Sequence, residues 1–380
     1  MIYLDHAATS FHKPPEVADA VYHALQGLGS SGRGAHGATL EASRLVHNTR
    51  EAIARLFHVG DPARVVFTAN ATESLNIAIQ GLLNAGDHCI TTAIEHNSVI
   101  RPLYLMEKRG VRLTVVPADK KGCIAISGIE AAICPETKAV VVTHASNVTG
   151  NVLDLEGIGR ICKRHGLLLI IDASQTAGVL PIDMGKYGAA ALCCSGHKGL
   201  LGPQGTGVLC LADGVRPQPL KVGGTGVDSF SYEMPRSLPA NLEAGTLNTH
   251  GLAGLLAACK YLKKYGQARI FQEANSLARQ FVEGVKDLPG VTLYGDFAAA
   301  IRTPVVALNL RDIASGEIAD ELFQRFGIAT RAGAHCAPGT HETFGTVEQG
   351  MVRFSFSHFN TVNEVDEAIR ALWKLEEESV

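Results

Sequence analysis

Short apolar runs rich in β-branched residues alternate with amphipathic segments along most of the first 250 residues. The amphipathic segments include Thr72–Leu83, Asn97–Lys108 and Leu155–Arg164. Buried strands separated by helices are typical of an α/β domain with a mostly parallel sheet. Because the seventh apolar run follows the sixth closely, we expect it to enter as an antiparallel edge strand. The predicted strands are Val65–Thr68, Cys89–Ile94, Leu113–Pro117, Ala139–Thr143, Leu167–Asp172, Ala191–Cys194 and Val208–Leu211.

The pattern changes near residue 250, where two long helical segments open a mixed α+β set. We therefore predict a large domain over residues 14–250 and a smaller domain over residues 251–380, which the segment 1–13 completes. The stretch 214–245 is rich in Gly, Pro and Ser and predicts a long loop, a feature that is often functional in compact proteins. The second set comprises helices at Leu252–Tyr265, Ala268–Leu288, Glu317–Phe326 and Val362–Leu375, and strands at Val291–Tyr294, Val305–Leu310 and Met351–Ser357.

Composition narrows the class of protein. The 380 residues are 46% hydrophobic and 19% charged, with a formal net charge of -3, which fits a well-packed globule without a basic nucleic-acid footprint. No apolar run approaches the ~20 residues that cross a membrane, and the opening MIYLDHAATS does not resemble a signal peptide. The nine cysteines are irregularly spaced without a C-x-x-C pair, so we expect no metal site or disulfide framework and a reducing, cytoplasmic setting.

A lysine stands just beyond a predicted buried strand. Lys198 ends the segment Ser195-Gly196-His197-Lys198, which follows the strand Ala191–Cys194. Desolvation at such a place favours the neutral amine, and a neutral amine can form a Schiff base with an aldehyde cofactor such as pyridoxal 5′-phosphate (PLP). The alternative is a lysine on a surface loop.

Two further positions would suit such a cofactor. Asp172 ends the strand Leu167–Asp172, at the edge where open α/β sheets bind ligands, and a carboxylate there can pair with a pyridinium nitrogen. Gln175 follows three residues later and could donate to the ring oxygen. Asn70-Ala71-Thr72-Glu73 resembles a capping box, and the helix that it opens offers an anion site for a phosphate. The alternatives are an aspartate that caps a helix and an ordinary helix start.

Two residues near the C-terminus could act on a substrate. Cys336 lies in the Gly- and Pro-containing loop after Arg331, beside His335, and positive neighbours would favour its thiolate. In the strand Met351–Ser357, alternation puts Arg353 on the polar face, where an arginine suits bidentate binding of a carboxylate. The alternatives are an unreactive loop thiol and a structural ion pair.

Two apparent motifs fail their context. Gly32-Arg33-Gly34-Ala35-His36-Gly37 has the G-x-G-x-x-G spacing, but it follows a helical pattern rather than a strand, which argues against dinucleotide binding. Cys193 and Cys194, with His197 nearby, might suggest a metal ligand set. Neighbouring residues of a strand point to opposite faces, so the two thiols cannot easily share an ion.

In their order along the chain, these pieces resemble the class V aminotransferase superfamily and, within it, the cysteine desulfurases and selenocysteine lyases. The resemblance runs from Tyr3-Leu-Asp-His-Ala-Ala-Thr9 to beyond Arg353, and its most specific parts are Ser195-Gly-His-Lys198 with Gly202-Pro203 and Arg331-Ala-Gly-Ala-His-Cys336-Ala-Pro. The short segment around Cys336 is similar to the second desulfurase group. The resemblance implies an aspartate aminotransferase-like fold, with a mostly parallel seven-stranded sheet and a smaller α+β domain.

The resemblance also implies roles for individual residues. Lys198 would carry PLP and move the α-proton, Cys336 would receive sulfur, and His96 would stack on the ring and help to move protons. Thr246 would complete the phosphate site of a partner subunit in a homodimer. The other implied cofactor-binding residues are Ala71, Thr72, Asn147, Asp172, Gln175, Ser195 and His197. The implied substrate-binding residues are His36, Asn147, Arg331 and Arg353.

The implied reaction converts L-cysteine to L-alanine and leaves a persulfide on Cys336 for transfer to an unidentified sulfur acceptor. Selenocysteine lyase activity on L-selenocysteine would use the same residues. A class V aminotransferase would share the lysine and the ring acid, although Cys336 argues against it. A non-catalytic PLP protein or a sulfur-relay scaffold is a further alternative, which the filled cofactor positions disfavour.

Overall fold

A seven-stranded sheet lies at the centre of the computed structural model, which describes residues 1–32, 34 and 36–378. The strands are β1 (Ile2–Tyr3), β2 (Val65–Thr68), β3 (His88–Thr92), β4 (Arg112–Val116), β5 (Thr137–Thr143), β6 (Leu168–Asp172), β7 (Ala191–Ser195), β8 (Gly207–Leu211), β9 (Val291–Tyr294), β10 (Val305–Leu310), β11 (Ile328–Ala329), β12 (Arg331–Gly333) and β13 (Met351–Ser355). The central sheet has the order β2-β8-β7-β6-β5-β3-β4. It confirms the predicted α/β class and the seven strands.

One prediction about this sheet is only half right. The seventh run, β8, is antiparallel to both of its neighbours, whereas the other adjacent pairs are parallel. It is not an edge strand, because β2 pairs with its outer side and becomes the edge itself. Local pattern could show that β8 follows β7 too closely for a crossover helix, but not which strand would cover its free side.

Helices cover both faces of the sheet, so successive residues of a strand enter different cores. Val140 and Val142 belong to a cluster with α1, α2, α6 and α8, whereas Val141 packs with α3 and α4. The helices are α1 (Pro15–Gly27), α2 (Gly37–Phe57), α3 (Ala71–Leu82), α4 (Asn97–Glu107), α5 (Ile126–Ala131), α6 (Leu155–His165), α7 (Met184–Tyr187), α8 (Thr249–Tyr265), α9 (Gln267–Val285), α10 (Ser315–Phe326), α11 (Pro338–Phe344) and α12 (Val362–Glu378), with a 3₁₀ turn at Pro62–Arg64.

The same alternation separates two adjacent cysteines. Cys193 faces the cluster around α3 and α4, and Cys194 faces the opposite cluster. This confirms that the two thiols cannot bind one ion together. Among the described residues, no group of three or more His, Cys, Asp or Glu side chains is placed to hold a metal.

A four-stranded antiparallel sheet, β12-β13-β10-β9, forms the core of the C-terminal part. Val352, Phe354 and Phe356 face its apolar cluster with α9, α10 and α12, as the alternation predicts, which leaves Arg353 on the other face. Strand β13 ends at Ser355, two residues earlier than predicted.

The start of the chain joins this C-terminal part. Strand β1 pairs in parallel with β11, and Leu4 is fully buried in the same cluster. Helix α8 packs on α1 and α2, so it crosses to the large sheet; the division near residue 250 remains a proposal. Residues 212–248 contain no helix or strand, in agreement with the predicted loop. No helix in the described part of the chain is long and apolar enough to span a bilayer.

Candidate active site

A tight loop after β7 holds Lys198. Backbone hydrogen bonds join Gly196 N to Thr206 O at 2.8 Å, Gly202 N to Gly196 O at 2.7 Å and Leu201 N to Lys198 O at 2.9 Å. The loop packs against the turn that follows Asp172. A Cβ on Gly178, whose φ is +81°, would lie 2.2 Å from the carbonyl oxygen of Gly199, so glycine is required at this close approach.

Lys198 and Asp172 stand at the carboxyl ends of adjacent strands and interact electrostatically. Desolvation lowers the pKa of the Lys198 amine to about 8, and the charge of Asp172 only partly opposes this. Asp172 is buried, and its Oδ1 accepts hydrogen bonds from Ser174 N at 2.9 Å and Ser174 Oγ at 2.5 Å. No described residue donates to Oδ2, which leaves one carboxylate oxygen available for a ligand.

The start of α3 meets the end of β7. Ala71 N donates to Ser195 Oγ at 3.0 Å, and Thr72 Oγ1 lies 2.8 Å from Ser98 Oγ. Asn70 caps the helix by accepting from Glu73 N at 3.0 Å, as the predicted capping box requires. The reciprocal bond differs, because Glu73 Oε2 accepts from Ala69 N at 2.6 Å, one residue before the cap. A helix N-terminus flanked by hydroxyl groups is suited to a phosphate.

His197, next to Lys198, contacts the N-terminal segment of the chain. Its Nδ1 lies 3.0 Å from Thr9 Oγ1, and its carbonyl accepts from Ser10 N at 3.0 Å. Burial lowers its pKa to about 4, and the nearby charges of Lys198 and Lys13 act in the same direction. The imidazole is therefore neutral at pH 7 and can offer an N–H donor without adding a charge.

His96 caps α4 with its own ring. Its Nδ1 accepts from Ser98 N at 3.0 Å, so that Nε2 carries the ring proton. Burial is the main cause that lowers its pKa to about 4; Asp172 raises the pKa, whereas Lys198 and Arg331 lower it. These mutual effects show that His96, Asp172 and Lys198 share one electrostatic environment. The predicted stacking role of His96 remains a proposal.

Arg353 is fully buried and already has partners. Its Nη2 donates to Asp5 Oδ1 at 2.7 Å and its Nη1 donates to Asn147 O at 2.9 Å, while its Nε has no partner among the described residues. The structural ion pair considered from the sequence therefore exists, with Asp5 as the acid. The sequence alone gives Asp5 no role, because its partner is 348 residues away.

Arg331 lies directly opposite Arg353 in the pairing of β12 with β13. No described residue makes a hydrogen bond or ion pair with its guanidinium. Like charges placed opposite each other on a sheet are unfavourable, and an anion between them removes the repulsion. The pair is thus suited to a carboxylate ligand.

Cys336 lies on a short connection between β12 and α11 and is partly exposed. His335 and Cys336 have φ values of 51° and 57°, which are unusual for residues other than glycine. The Cys336 carbonyl accepts from Asn97 N at 2.7 Å, and Asn147 Nδ2 donates to His335 O at 2.8 Å. These bonds fix the connection beside the start of α4, which carries His96.

The expectation that His335 gives positive charge to the thiol is wrong. Its side chain is buried, and desolvation lowers its pKa to about 3, so the ring is neutral. The Nε2 atom lies 3.1 Å from Arg331 O. Arg331 remains as a nearby positive residue.

The sequence analysis assigns no functional role to Glu95, although it directly precedes His96. It is buried, and its Oε1 accepts from Thr92 Oγ1 at 2.6 Å, while Oε2 has no partner among the described residues. Burial raises its pKa to about 8, so the carboxyl is mostly protonated at pH 7. The sequence signal that could have identified Glu95 is a carboxyl in an otherwise apolar turn between a strand and a helix.

The side chains of three predicted site residues make no hydrogen bond with the residues described above. Gln175 Nε2 donates to Ala7 O at 3.1 Å, and Gln175 and Lys198 line one pocket. Thr246 is exposed on the long loop. His36 is exposed at the start of α2, where its Nε2 lies 3.0 Å from Thr39 Oγ1; the neighbouring Arg33 is outside the described residues. Neither Thr246 nor His36 lines the pocket that Gln175 and Lys198 share.

Comparisons with known proteins cover almost the whole chain. The family model of the class V aminotransferases matches residues 2–368. A probable cysteine desulfurase of Methanothermobacter thermautotrophicus is 34% identical over 96% of this chain and 92% of its own length. The apo structure of a cysteine desulfurase from Thermococcus onnurineus NA1 has a TM-score of 0.93 at 31% identity, covering 99% of this chain and 95% of that one. Escherichia coli CsdA, a cysteine desulfurase, has a TM-score of 0.89 at 27% identity, with 100% and 95% covered.

Proposed function

Because this chain belongs to the class V aminotransferase family, we propose that it performs the PLP-dependent cysteine desulfurase reaction of its relatives through Lys198 and Cys336. The observation that carries the proposal is the convergence of three elements on one place. A desolvated lysine follows β7, a buried aspartate ends β6, and the segment with Cys336 is bonded to the start of α4. L-cysteine is the substrate and L-alanine the carbon product.

The residues present fit the cofactor. Asp172 Oδ2 is available for a protonated ring nitrogen, and Lys198 is neutral often enough to bind an aldehyde. Thr72, Ser195, His197 and the Ala71 end of α3 would hold the phosphate. Gln175 and Asn147 would contact the ring oxygen and the substrate side. When bound, PLP withdraws electrons from the substrate α-carbon.

Two arginines would bind the substrate carboxylate, and Lys198 would carry the substrate α-proton. The Arg331 guanidinium has no partner among the described residues and lies opposite the buried Arg353, and together they would orient the cysteine carboxylate. Lys198 would take the α-proton, with neutral His96 as the adjacent proton carrier. His36 is assigned to the substrate side only through the resemblance.

Cys336 is the sulfur acceptor in this proposal. Its thiolate forms a bond with the substrate sulfur while the substrate Cβ–S bond breaks, which leaves a persulfide on Cys336. The bonded positions of His335 O and Cys336 O hold the thiol at a fixed place rather than on a long free loop. Selenocysteine lyase and aminotransferase activities are not favoured, because the similar proteins are named cysteine desulfurases.

A homodimer would explain two exposed features. Thr246 is exposed on its own chain, and the loop 214–245 presents Phe230 and Tyr232 with essentially no cover. A second copy seated on this loop would bury both rings and bring Thr246 to the partner's phosphate site. A cytoplasmic location is supported by the nine free cysteines.

The test compares two partly exposed cysteines. In Cys336→Ser we expect normal cofactor absorbance but no persulfide and loss of cysteine-dependent alanine formation, whereas Cys123→Ser should retain activity. Borohydride reduction followed by peptide mapping should place the pyridoxyl group on Lys198. Full alanine formation by Cys336→Ser, or a pyridoxyl group on another lysine, would contradict the assignment.

A further inference from the structure

His6 is a buried histidine whose ring has no hydrogen-bond partner among the described residues. It is 8% exposed, and neither Nδ1 nor Nε2 makes a hydrogen bond. Burial lowers the pKa of its ring to about 3, while the carbonyl of Tyr3 opposes this shift without reaching hydrogen-bond geometry. The imidazole is therefore neutral at pH 7, with one N–H donor and one nitrogen acceptor. Leaving a buried polar group without a partner is unfavourable, so a molecule that bonds to this ring would be stabilised.

The neighbours of His6 hold its ring in one orientation. Ala7 N donates to Ser355 Oγ at 2.9 Å, and Ala7 O accepts from Gln175 Nε2 at 3.1 Å. These bonds tie the backbone beside His6 to β13 and to the turn after β6. The His6 ring also meets the Tyr3 ring edge-on, with the two centroids 4.9 Å apart. The two ring nitrogens therefore have defined directions, as a site that orients a bound molecule requires.

His6 lines a pocket that extends to Lys198 and is called the His6 pocket below. Its volume is about 60 Å³, whereas about 10–15 Å³ suffices for one water molecule, so several can be accommodated. Ser10 and Ser357 also belong to its wall, and their hydroxyl groups can bond to water. The pocket is thus large enough and polar enough to be hydrated. Apolar residues that complete its wall include Val179, Leu201, Ile270, Ala274 and Phe356.

The His6 pocket reaches Lys198 from a side that the proposed cofactor and substrate residues do not form. Asp172, Arg353 and Cys336 are all absent from its wall. PLP and a substrate held by those residues would cover the amine from their own side and leave the pocket adjoining it. The wall also includes the partly exposed His358, which gives a direction in which a proton can reach solvent.

On the basis of the proposed function, we propose that the His6 pocket holds water molecules that connect Lys198 with His6. His6 positions this water so that Lys198 exchanges the proton taken from the substrate with solvent before a proton is returned to the product. Transfer through a bridging water is within the reach of a proton-carrying group. Because His6 acts through water and Lys198 and does not touch the substrate, it is a positioning residue.

The proton transfer balances without a further reactant. The Lys198 ammonium gives one proton to the neighbouring water, and this water gives one of its own protons to the unprotonated ring nitrogen of His6. The opposite ring N–H releases its proton at the same time to a second water on the side of His358. Each broken bond leaves its electron pair on the atom that loses the proton. Lys198 is then a neutral amine, His6 is a neutral imidazole again, and one proton has moved towards solvent.

The experiment supplies the holoenzyme with L-cysteine deuterated at Cα, in ordinary water, and mass spectrometry measures the deuterium in the alanine formed. The wild type should lose nearly all of the label, because the deuteron leaves Lys198 before it returns. In His6→Leu the deuteron stays among the three hydrogens of the ammonium, so up to about one third of the label should be retained. His6→Asn, whose amide can donate to and accept from water, should restore the loss. The exposed control His12→Leu should match the wild type.

Equal deuterium content in alanine from the wild type and from His6→Leu would overturn the proposal, even if His6→Leu were slower, because a purely structural role changes only the rate. A second measurement needs no variant and no turnover: a crystal structure of the cofactor-free protein should show ordered water bonded to a ring nitrogen of His6. A dry pocket would also overturn the proposal. Failure of the proposed function is distinguishable, because the wild type would then form no alanine at all, and both proposals would fall together.

Discussion

Capture of the cofactor by the protein should have a midpoint near pH 8. Desolvation lowers the pKa of Lys198 from 10.5 to about 8, with Asp172 opposing the change and Arg353 and Arg331 adding to it. At pH 8 an ordinary lysine is only about 0.3% neutral, whereas an amine with a pKa of about 8 is about half neutral. Capture at pH 8 should therefore be on the order of a hundredfold faster than by a solvated lysine of equal nucleophilicity.

The assay mixes cofactor-free protein with PLP between pH 6.5 and 9.5 and records initial rates from visible absorbance. Borohydride trapping at each pH identifies the lysine that reacts, and Nα-acetyllysine gives the solvated reference. The rate should rise with pH and level off above about pH 8, because the neutral amine is the reactive form. Lys198→Ala should show no adduct in this segment.

A variant at the partly exposed Arg331 tests the direction in which neighbouring charge moves the pKa of Lys198. Arg331→Gln removes a charge that lowers the Lys198 pKa, so the midpoint should move to higher pH. A midpoint close to 10 in the wild type, or a midpoint unchanged in Arg331→Gln, would refute the argument that desolvation and neighbouring arginines set this amine.

Two stability predictions follow from other buried groups. Asp5→Asn removes the charge paired with buried Arg353 and should lower the free energy of unfolding by about 1–3 kcal/mol. The loss should be smaller than for a fully buried pair, because Asp5 is 18% exposed. Urea unfolding measures the loss, and the exposed control Asp19→Asn should show no comparable decrease. Burial raises the pKa of Glu95 from 4.5 to about 8. The stabilisation of the folded state by the protonated carboxyl is therefore fully present below pH 4.5 and is lost as the pH rises to 8. Glu95→Gln should remove this pH dependence, a difference on the order of 4 kcal/mol between pH 4.5 and 8, and parallel urea curves for the two proteins would argue against a buried protonated carboxyl.

The local pattern predicted the strands well because most of them are apolar on both faces, as Val140 to Val142 show. It also located Asp172 and Lys198, since a polar residue at the end of a buried strand stands out in the sequence. The local pattern could not identify the partner of Arg353, because the ion pair with Asp5 depends on how distant segments of the chain pack together. The neutral state of His335 was missed for a related reason: burial, not the adjacent sequence, determines its pKa.

The contact between the two ends of the chain affects the order of events during synthesis. Lys198, Asp172 and the central strands leave the ribosome well before β11 and β13, to which β1 and Asp5 attach. Ala7, whose carbonyl holds Gln175, depends on the same late attachment. A nascent chain therefore possesses the reactive amine before it possesses a finished pocket, and stable retention of the coenzyme should mark release of a complete polypeptide.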